Sequence, residues 1–426
     1  MKKYFLAVAS FFIYSHISLG QVYPGQMDST FVPVRSHHYD PELTFDFCVN
    51  EPAWSNQAGI HSAFGSTDRL YFRKEVPVNH DNDLSSSYST TVWRGERANA
   101  QILVWSSEAL EQVRVSTQDL RSAEGNIIPK DRITFELVRY VLSNYPYAEK
   151  KAICGESPYK SGFLMPDRFE TLDRFDLPSQ TTRPVWMMVD VPRGTVPGTY
   201  KGQVEVRAKG KAPQLLNLEI VVQNQLLPYP KDWKYRLDLW QNPWAVAWYN
   251  HVEPWSPEHK MLLKQHLKHY ADAGGTYITT YGVHSPWSDN SYMIEGGMIE
   301  WIKKADGTWA FDYKIFDEYV ELAMECGIDE AITLYTPIPW GFRHRYKDEA
   351  TGDYSYINWA PSSEEFKKMW NIFLTDFKFH LEAKSWLDIT YIGINENPME
   401  ETLAAINVVR NHDKCWKITY AGNWHK

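Results

Sequence analysis

Hydrophobic and polar residues follow one rhythm in the first half of the chain and another in the second. Up to about Leu227, short β-branched and aromatic runs alternate with Gly/Pro turn signals and show no helical period. Such runs include Ala100–Trp105, Val113–Thr117, Ile133–Tyr140, Pro184–Val191 and Gln203–Ala208. Short strands at even spacing predict an antiparallel β-sandwich over residues 21–228.

After a proline-marked joint at Leu227-Pro228-Tyr229-Pro230, strand-like and helix-like segments alternate strictly. The predicted strands are Tyr235–Trp240, Tyr277–Tyr281, Ala331–Tyr335, Ile389–Ile394 and Trp416–Tyr420. The predicted helices are Ser256–Ala273, Tyr313–Cys326, Ser363–Glu382 and Met399–Arg410. This alternation predicts parallel strands with helices outside, in a (β/α)8 TIM-barrel-type domain over residues 229–426.

The barrel is expected to be incomplete, because the pattern supplies about five strands and closure of this barrel type needs eight. An open ring leaves two sheet edges and an apolar inner face uncovered. Three outcomes stay open: an interrupted gene product, self-association through the open barrel edge, or completion by another polypeptide.

Residues 1–20 have the pattern of a signal peptide. Lys2 and Lys3 precede an apolar run from Tyr4 to Ile17, and small residues follow at the expected cleavage site. The run is too short for a membrane-spanning helix. The mature chain is therefore expected to be exported, to the periplasm or the medium.

Composition narrows the classes of partner. The formal net charge is −9 and no basic run is longer than a pair, which argues against nucleic acid and anionic membranes. The four cysteines, Cys48, Cys154, Cys326 and Cys415, form no C-x-x-C pair, and no sequence signature indicates a metal or another cofactor. Aromatic residues reach 15%, and their flat faces suit sugar rings as well as protein cores.

Candidate site residues lie where the predicted strands end, because the carboxyl ends of barrel strands face the site. Glu396 follows one strand directly, beside Asn395. The proposed pocket lining is Trp240, Asn242, Tyr281, His284, Trp340 and Trp424. Aromatic platforms among amide and imidazole groups around one carboxyl suit a sugar, although each residue could equally be core packing. His344 has no partner at a useful spacing and is expected at the surface.

On these residues the sequence resembles glycoside hydrolase family 123. The resemblance rests on residues 93–97, on the turn at residues 197–200, on Leu239-Trp240-Gln241-Asn242-Pro243, and above all on Gly393-Ile394-Asn395-Glu396-Asn397-Pro398-Met399. It implies a β-sandwich joined to a (β/α)8 barrel. It also implies a retaining β-N-acetylgalactosaminidase in which the 2-acetamido oxygen of the sugar attacks the anomeric carbon. The implied partner is a glycan with a terminal β-linked N-acetylgalactosamine.

The resemblance places Glu396 as the general acid/base and Asn395 where the family has an Asp that orients the acetamido group. Asn395 can accept a hydrogen bond from the acetamido N–H but supplies no negative charge. Loss of such a preorganised charge typically costs on the order of 10²–10³ in rate. Retention of Glu396 favours an enzyme. The substitution at 395 favours the alternative, a carbohydrate-binding protein without catalysis.

Overall fold

The computed structural model describes residues 51–77, 84–143, 163–287 and 296–422. The predicted signal segment and Trp424 lie outside these residues. The chain divides into two compact units, and the division falls between Leu227 and Pro228. The proline-rich joint places the predicted boundary at Pro228.

The first unit contains a short helix, α1 (Glu51–Trp54), and two β-sheets. The strands are β1 (His61–Gly65), β2 (Ser87–Arg94), β3 (Arg97–Ser106), β4 (Leu110–Thr117), β5 (Leu120–Arg121), β6 (Ile127–Ile128), β7 (Ile133–Ser143), β8 (Phe163–Thr171), β9 (Phe175–Leu177), β10 (Thr181–Asp190), β11 (Gly198–Arg207) and β12 (Gln214–Leu226). One sheet has the order β1-β3-β10-β7-β8, and the other runs β2-β12-β11-β4-β9, with β5 and β6 beside β11.

Period-two alternation explains the core of this unit. On β11, Tyr200, Val204 and Val206 are buried while Lys201 and Arg207 are exposed. Inward residues of both sheets form one apolar cluster. The charged segment at residues 94–97 is structural in part, since Arg97 pairs with Asp190 of the neighbouring strand at 2.6 Å.

The prediction of a wholly antiparallel sandwich is wrong at one pair of strands. β2 and β12 run parallel, from Ser87 opposite Asn217 to Val92 opposite Val222. The two strands lie far apart in the chain and no hairpin turn joins them. Hydrophobic alternation sets which face of a strand is buried but leaves its direction open.

The second unit combines five helices with two sheets of four strands each among the described residues. The helices are α2 (Pro243–Asn250), α3 (Pro257–Asp272), α4 (Lys314–Glu325), α5 (Glu364–Lys384) and α6 (Met399–His412). The strands β13 (Tyr277–Tyr281), β16 (Ala331–Tyr335), β19 (Thr390–Ile394) and β20 (Lys417–Tyr420) form an all-parallel sheet in that order. A second sheet, β15-β14-β17-β18, uses β14 (Glu300–Lys303), β15 (Trp309–Asp312), β17 (Arg343–Asp348) and β18 (Tyr354–Asn358).

The parallel sheet has four described strands rather than the five predicted. The first predicted strand, Tyr235–Trp240, makes a single parallel bridge, between Leu237 and Gly275. Side chains take the hydrogen bonds that a strand ladder would make: the Tyr270 hydroxyl donates to the carbonyl of Leu237, and the Gln241 side chain accepts from the N–H of Thr279. Over the described residues the sheet is open, with β13 and β20 at its edges.

The helices follow the predicted periods because each buries one apolar stripe. On α5, Phe366, Trp370, Phe373 and Phe377 recur at helical spacing and are fully buried, and Ser363 caps the first turn. The structure adds α2 and the second sheet, in stretches to which the sequence patterns assigned no helix or strand. None of the described helices combines the length and the apolar character needed to cross a membrane.

Candidate active site

The carboxyl ends of the parallel strands lie level with one another. Tyr281 on β13 is opposite Tyr335 on β16, and Tyr335 is opposite Gly393 on β19. The residues that follow these strands therefore meet at the carboxyl-terminal end of the sheet. Thr336 and Asn395 are in contact there, with their side-chain oxygens 3.4 Å apart.

Asn395 is completely buried and its side chain is held in one orientation. The Asn397 amide nitrogen donates to the Ile338 carbonyl at 3.1 Å and to Asn395 Oδ1 at 2.8 Å. Because that nitrogen is fixed as a donor, the atom of Asn395 that faces it must be the acceptor oxygen. The Thr336 hydroxyl donates to the same oxygen. The other end of the amide, Nδ2, is buried and has no hydrogen-bond partner among the described residues.

This geometry gives Asn395 the opposite hydrogen-bonding role from the one expected from sequence. Oδ1 accepts from Asn397 at 2.8 Å and, more weakly, from the Thr336 hydroxyl at 3.4 Å, so the end of the amide without a partner is Nδ2 rather than the oxygen. The group that remains is a donor, and a buried donor without a partner costs free energy unless a ligand satisfies it. Asn395 is thus built to donate to an acceptor atom.

Glu396 is exposed, next to the buried Asn395. It lies in the turn between the end of β19 and the start of α6 at Met399. Its carboxylate makes no hydrogen bond or ion pair with any residue in the described ranges, so it is free to contact a ligand.

An aromatic cluster lies at the same carboxyl-terminal end of the sheet. The ring of Trp240 stacks on Trp287 at 4.8 Å and lies 4.8 Å from the ring of Tyr335. Trp240 is 44% exposed, whereas Tyr335 is buried. Gly393 makes room for Tyr335, because a Cβ at that position would lie 2.9 Å from its ring. Burial and the negative charge of Asp238 raise the pKa of Tyr335, so its hydroxyl stays protonated.

The structure places other predicted lining residues in supporting roles. Tyr281 is 3% exposed and donates its hydroxyl proton to the Gln241 carbonyl at 3.1 Å, so it packs behind the cluster. Asn242 accepts from the N–H of Ala245 and caps α2. Trp340 is half-buried and packs against the apolar core of the second unit. Trp424 lies outside the described residues.

His284 follows the end of β13 and is half-buried. Burial, together with the positive charges of Arg345 and Arg343, lowers the pKa of His284 to about 4, so the ring is neutral near pH 7. Its Nδ1 is buried without a partner in the described part of the chain. His284 therefore has one ring nitrogen whose hydrogen bond no described residue supplies.

His344 corrects a prediction, because it is buried rather than at the surface. It is 2% exposed, contacts the Phe342 carbonyl through Nδ1 and accepts from the Trp370 indole through Nε2. Sequence reasoning also passed over Trp287 as a site residue, since a loop residue belongs to no periodic pattern. The described residues contain no group of three or more His, Cys, Asp or Glu side chains placed to hold a metal ion.

Two family models match the chain. The model described as glycoside hydrolase 123, catalytic domain, matches residues 240–426, and the model for the glycoside hydrolase 123 N-terminal domain matches residues 64–208. The first match includes the edge of the sheet where Trp240, Asn395 and Glu396 lie. No curated protein matches the chain.

Among solved structures, a family 123 glycoside hydrolase from Clostridium perfringens, studied for glycolipid glycan hydrolysis, matches with a TM-score of 0.77 and 26% identity. The match covers 86% of this chain and 64% of that one, so this chain spans less than two thirds of its length. A family 39 glycoside hydrolase from Bacteroides cellulosilyticus WH2 matches at 13% identity over 73% of this chain and 49% of that one, with a TM-score of 0.24. A family 5 xyloglucanase from Bacteroides ovatus matches at 10% identity, over 78% and 61%, with a TM-score of 0.21. The last two scores are too low to bear on fold or function.

Proposed function

This chain belongs to glycoside hydrolase family 123, and from that premise we propose that it removes a terminal β-linked N-acetylgalactosamine from glycans with retention of configuration. The similar protein from Clostridium perfringens is described in terms of glycolipid glycan hydrolysis, which makes glycolipid glycans the first natural substrates to assay. The proposal takes the four parallel strands and their helices as part of a (β/α)8 barrel. Export of the chain stays a prediction from residues 1–20.

The observation that carries the proposal is the pairing of a buried amide with an exposed carboxylate at the end of β19. Glu396 has no partner among the described residues and is solvated, as a group that must reach a leaving oxygen should be. In the proposed reaction the 2-acetamido oxygen attacks the anomeric carbon while Glu396 gives its proton to the leaving oxygen. The resulting oxazolinium is opened by water, which Glu396 deprotonates, so the acid is restored.

The aromatic cluster supports a sugar as the ligand. Trp240 offers an exposed indole face whose position is fixed by Trp287 and Tyr335. A rigid aromatic face packs against the C–H face of a hexose at little cost in side-chain entropy. His284 adds a neutral ring nitrogen without a partner in the described ranges, which suits a sugar hydroxyl.

The uncharged side chain of Asn395 leads us to expect a low rate of hydrolysis. A carboxylate there would accept from the acetamido N–H and balance the positive oxazolinium, whereas Asn395 presents a donor and no charge. A donor aimed at the acetamido oxygen draws electron density from the attacking atom. We therefore propose slow hydrolysis, lower by on the order of 10²–10³ than with a charged group.

The same observation favours a second candidate function, sugar binding without hydrolysis. An amide whose free N–H must find an acceptor is a good ligand contact even where it is a poor catalyst. In this alternative, Glu396, Trp240, His284 and Trp340 hold the sugar and no bond is cleaved.

The test is an assay of the mature full chain on an aryl β-N-acetylgalactosaminide, with calorimetric binding of methyl β-N-acetylgalactosaminide alongside. Aryl alcohol release that is lost in Glu396→Gln and retained in Glu382→Gln supports the enzyme, since Glu382 is an exposed acid in the last turn of α5. Release that is unaffected by Glu396→Gln overturns its role. Binding without any release, in both the natural chain and Asn395→Asp, establishes the second candidate instead.

A further inference from the structure

The β17–β18 hairpin presents a basic and aromatic face to solvent. Strand alternation places Arg343, Arg345 and Lys347 on one side of β17, and the side chains opposite them on β18 are Asn358, Tyr356 and Tyr354. The other side of β17 carries His344, which is buried. We call the outer side, made of Arg343, Arg345, Lys347, Tyr354 and Tyr356, the basic hairpin face.

The two arginines of this face lie over tyrosine rings. The guanidinium carbon of Arg343 lies 4.3 Å from the centre of the Tyr356 ring, and that of Arg345 lies 4.1 Å from the centre of the Tyr354 ring. Stacking restrains a guanidinium while leaving the N–H groups at its edge free to donate in the plane. Such a group is preorganised for a planar or tetrahedral oxyanion.

The positive charge on this face is only partly neutralised. The ion pair between Glu300 Oε2 and Arg345 is long, at 3.7 Å. The same Glu300 oxygen accepts a hydrogen bond from the Tyr354 hydroxyl at 2.9 Å. Arg345 Nε is buried and has no partner in the described residues. Arg343 and Lys347 have no carboxylate within ion-pair distance in the described ranges. In a chain of net charge −9, this is a local excess of positive charge.

The basic hairpin face borders the candidate active site. The hairpin begins directly after the Trp340–Phe342 turn, and the backbone N–H of Trp340 donates to the Pro286 carbonyl at 2.9 Å. Pro286 is two residues beyond His284, which follows β13. Both guanidiniums also lie near enough to His284 for their charges to depress its pKa. A ligand at the strand ends therefore has cationic donors on the side of His284.

We propose that the basic hairpin face binds an anionic substituent, a sulfate ester or a carboxylate, carried by the glycan whose N-acetylgalactosamine occupies the strand ends. The inference rests on the proposed sugar site and names its substrate class as acidic glycans. Three cations on alternate residues of one strand make a short basic patch, which suits a glycan with a single anionic substituent, whereas a polyanion such as nucleic acid requires a longer basic track.

Binding measurements on the mature full chain test the proposal separately from hydrolysis. The probes are N-acetylgalactosamine, its 6-sulfate, its 4-sulfate, a disaccharide of glucuronic acid and N-acetylgalactosamine, and sodium sulfate alone. We expect at least one acidic sugar to bind about tenfold more tightly than the neutral sugar, with a preference that weakens as salt is raised. The sulfated and uronic probes tell a sulfate site from a carboxylate site.

Arg343→Gln and Lys347→Gln should each reduce the preference for the acidic sugar about threefold or more and leave binding of the neutral sugar unchanged. Lys368→Gln is the matched control, because it removes the same charge from an exposed position on α5. Equal binding of acidic and neutral sugars, or no binding of either, overturns the proposal. A preference for the acidic sugar that survives when Arg343→Gln and Lys347→Gln are combined also overturns it. So does sodium sulfate that binds as tightly as the sulfated sugar. An acid preference in a chain that hydrolyses nothing rejects only the enzymatic function.

Discussion

Asn397 donates its side-chain N–H to Asn395 Oδ1 over 2.8 Å, and this contact decides which end of the Asn395 amide is left for a ligand. The donor itself is fixed by the Ile338 carbonyl, at 3.1 Å. The unpartnered atom of Asn395 is consequently a nitrogen. A donor, rather than an acceptor, therefore lies at the position where the proposed mechanism would be helped by a negative charge.

Replacing Asn395 by Asp should raise kcat/KM on an aryl β-N-acetylgalactosaminide by on the order of 10²–10³. The change fits the structure, because one carboxylate oxygen can keep the bonds from Asn397 and Thr336 while the second replaces the unpartnered nitrogen. That second oxygen can accept from the acetamido N–H and carries charge towards the oxazolinium. Initial rates over a range of substrate concentrations measure the gain.

Asn371→Asp is the control for the Asn395 prediction. It introduces the same charge at an exposed position on α5 and should leave kcat/KM unchanged. A folded Asn395→Asp chain with no gain would show that the amide is not what limits the reaction.

Periodic patterns in the sequence predicted much of the fold of the second unit. Helices α3 to α6 and strands β13, β16, β19 and β20 lie where apolar spacing and turn signals place them. The first predicted strand failed because Tyr270 and Gln241 take its hydrogen bonds through side chains, and no propensity encodes that. The direction of β2 against β12 failed for a related reason, since it depends on which distant strand is the neighbour.

Strand-end position predicted where Asn395 and Glu396 lie but not what each can do. The hydrogen-bonding polarity of Asn395 is set by Asn397 and by the Ile338 carbonyl, which is distant in sequence. Burial of His344 likewise depends on Trp370 from another element, the helix α5. Such contacts between side chains distant in sequence leave no periodic signal in the chain.

Trp240→Ala should weaken binding of methyl β-N-acetylgalactosaminide about tenfold and lower stability little. The indole is 44% exposed, so its main contribution is the face that it offers a ligand. Titration calorimetry measures the affinity, and chemical denaturation measures the free energy of unfolding. Trp248→Ala serves for comparison, because Trp248 is 59% exposed on α2 and should affect neither quantity. Equal loss of sugar affinity in both variants would remove Trp240 from the site.

Gly393→Ala should destabilise the second unit by about 1–3 kcal/mol. The added Cβ would lie 2.9 Å from two ring carbons of Tyr335, and that ring is buried between its neighbours Trp240 and Trp287. Displacing it also removes a support of Trp240. Gly194→Ala is the control, since a Cβ there meets nothing within 4 Å. Urea denaturation followed by tryptophan fluorescence gives both values, and a Gly393→Ala chain as stable as the natural one contradicts the packing argument.

The free energy of unfolding should fall as the pH is lowered from about 6.5 towards 4, and His344 should account for part of the loss. Burial lowers the pKa of His344 from 6.5 to about 4, so below pH 6.5 the unfolded chain binds a proton that the folded chain refuses. The contacts agree, because Nε2 accepts from the Trp370 indole and a proton there would set two donors against each other. For this 2%-exposed side chain the expected loss between pH 7 and pH 5 is about 2 kcal/mol.

Urea denaturation at pH 7 and pH 5 measures the change in the free energy of unfolding, and this difference should be smaller for His344→Gln than for the natural chain. His269→Gln, at an exposed position on α3, should leave the difference as it is, and an unchanged difference in His344→Gln would contradict the assignment.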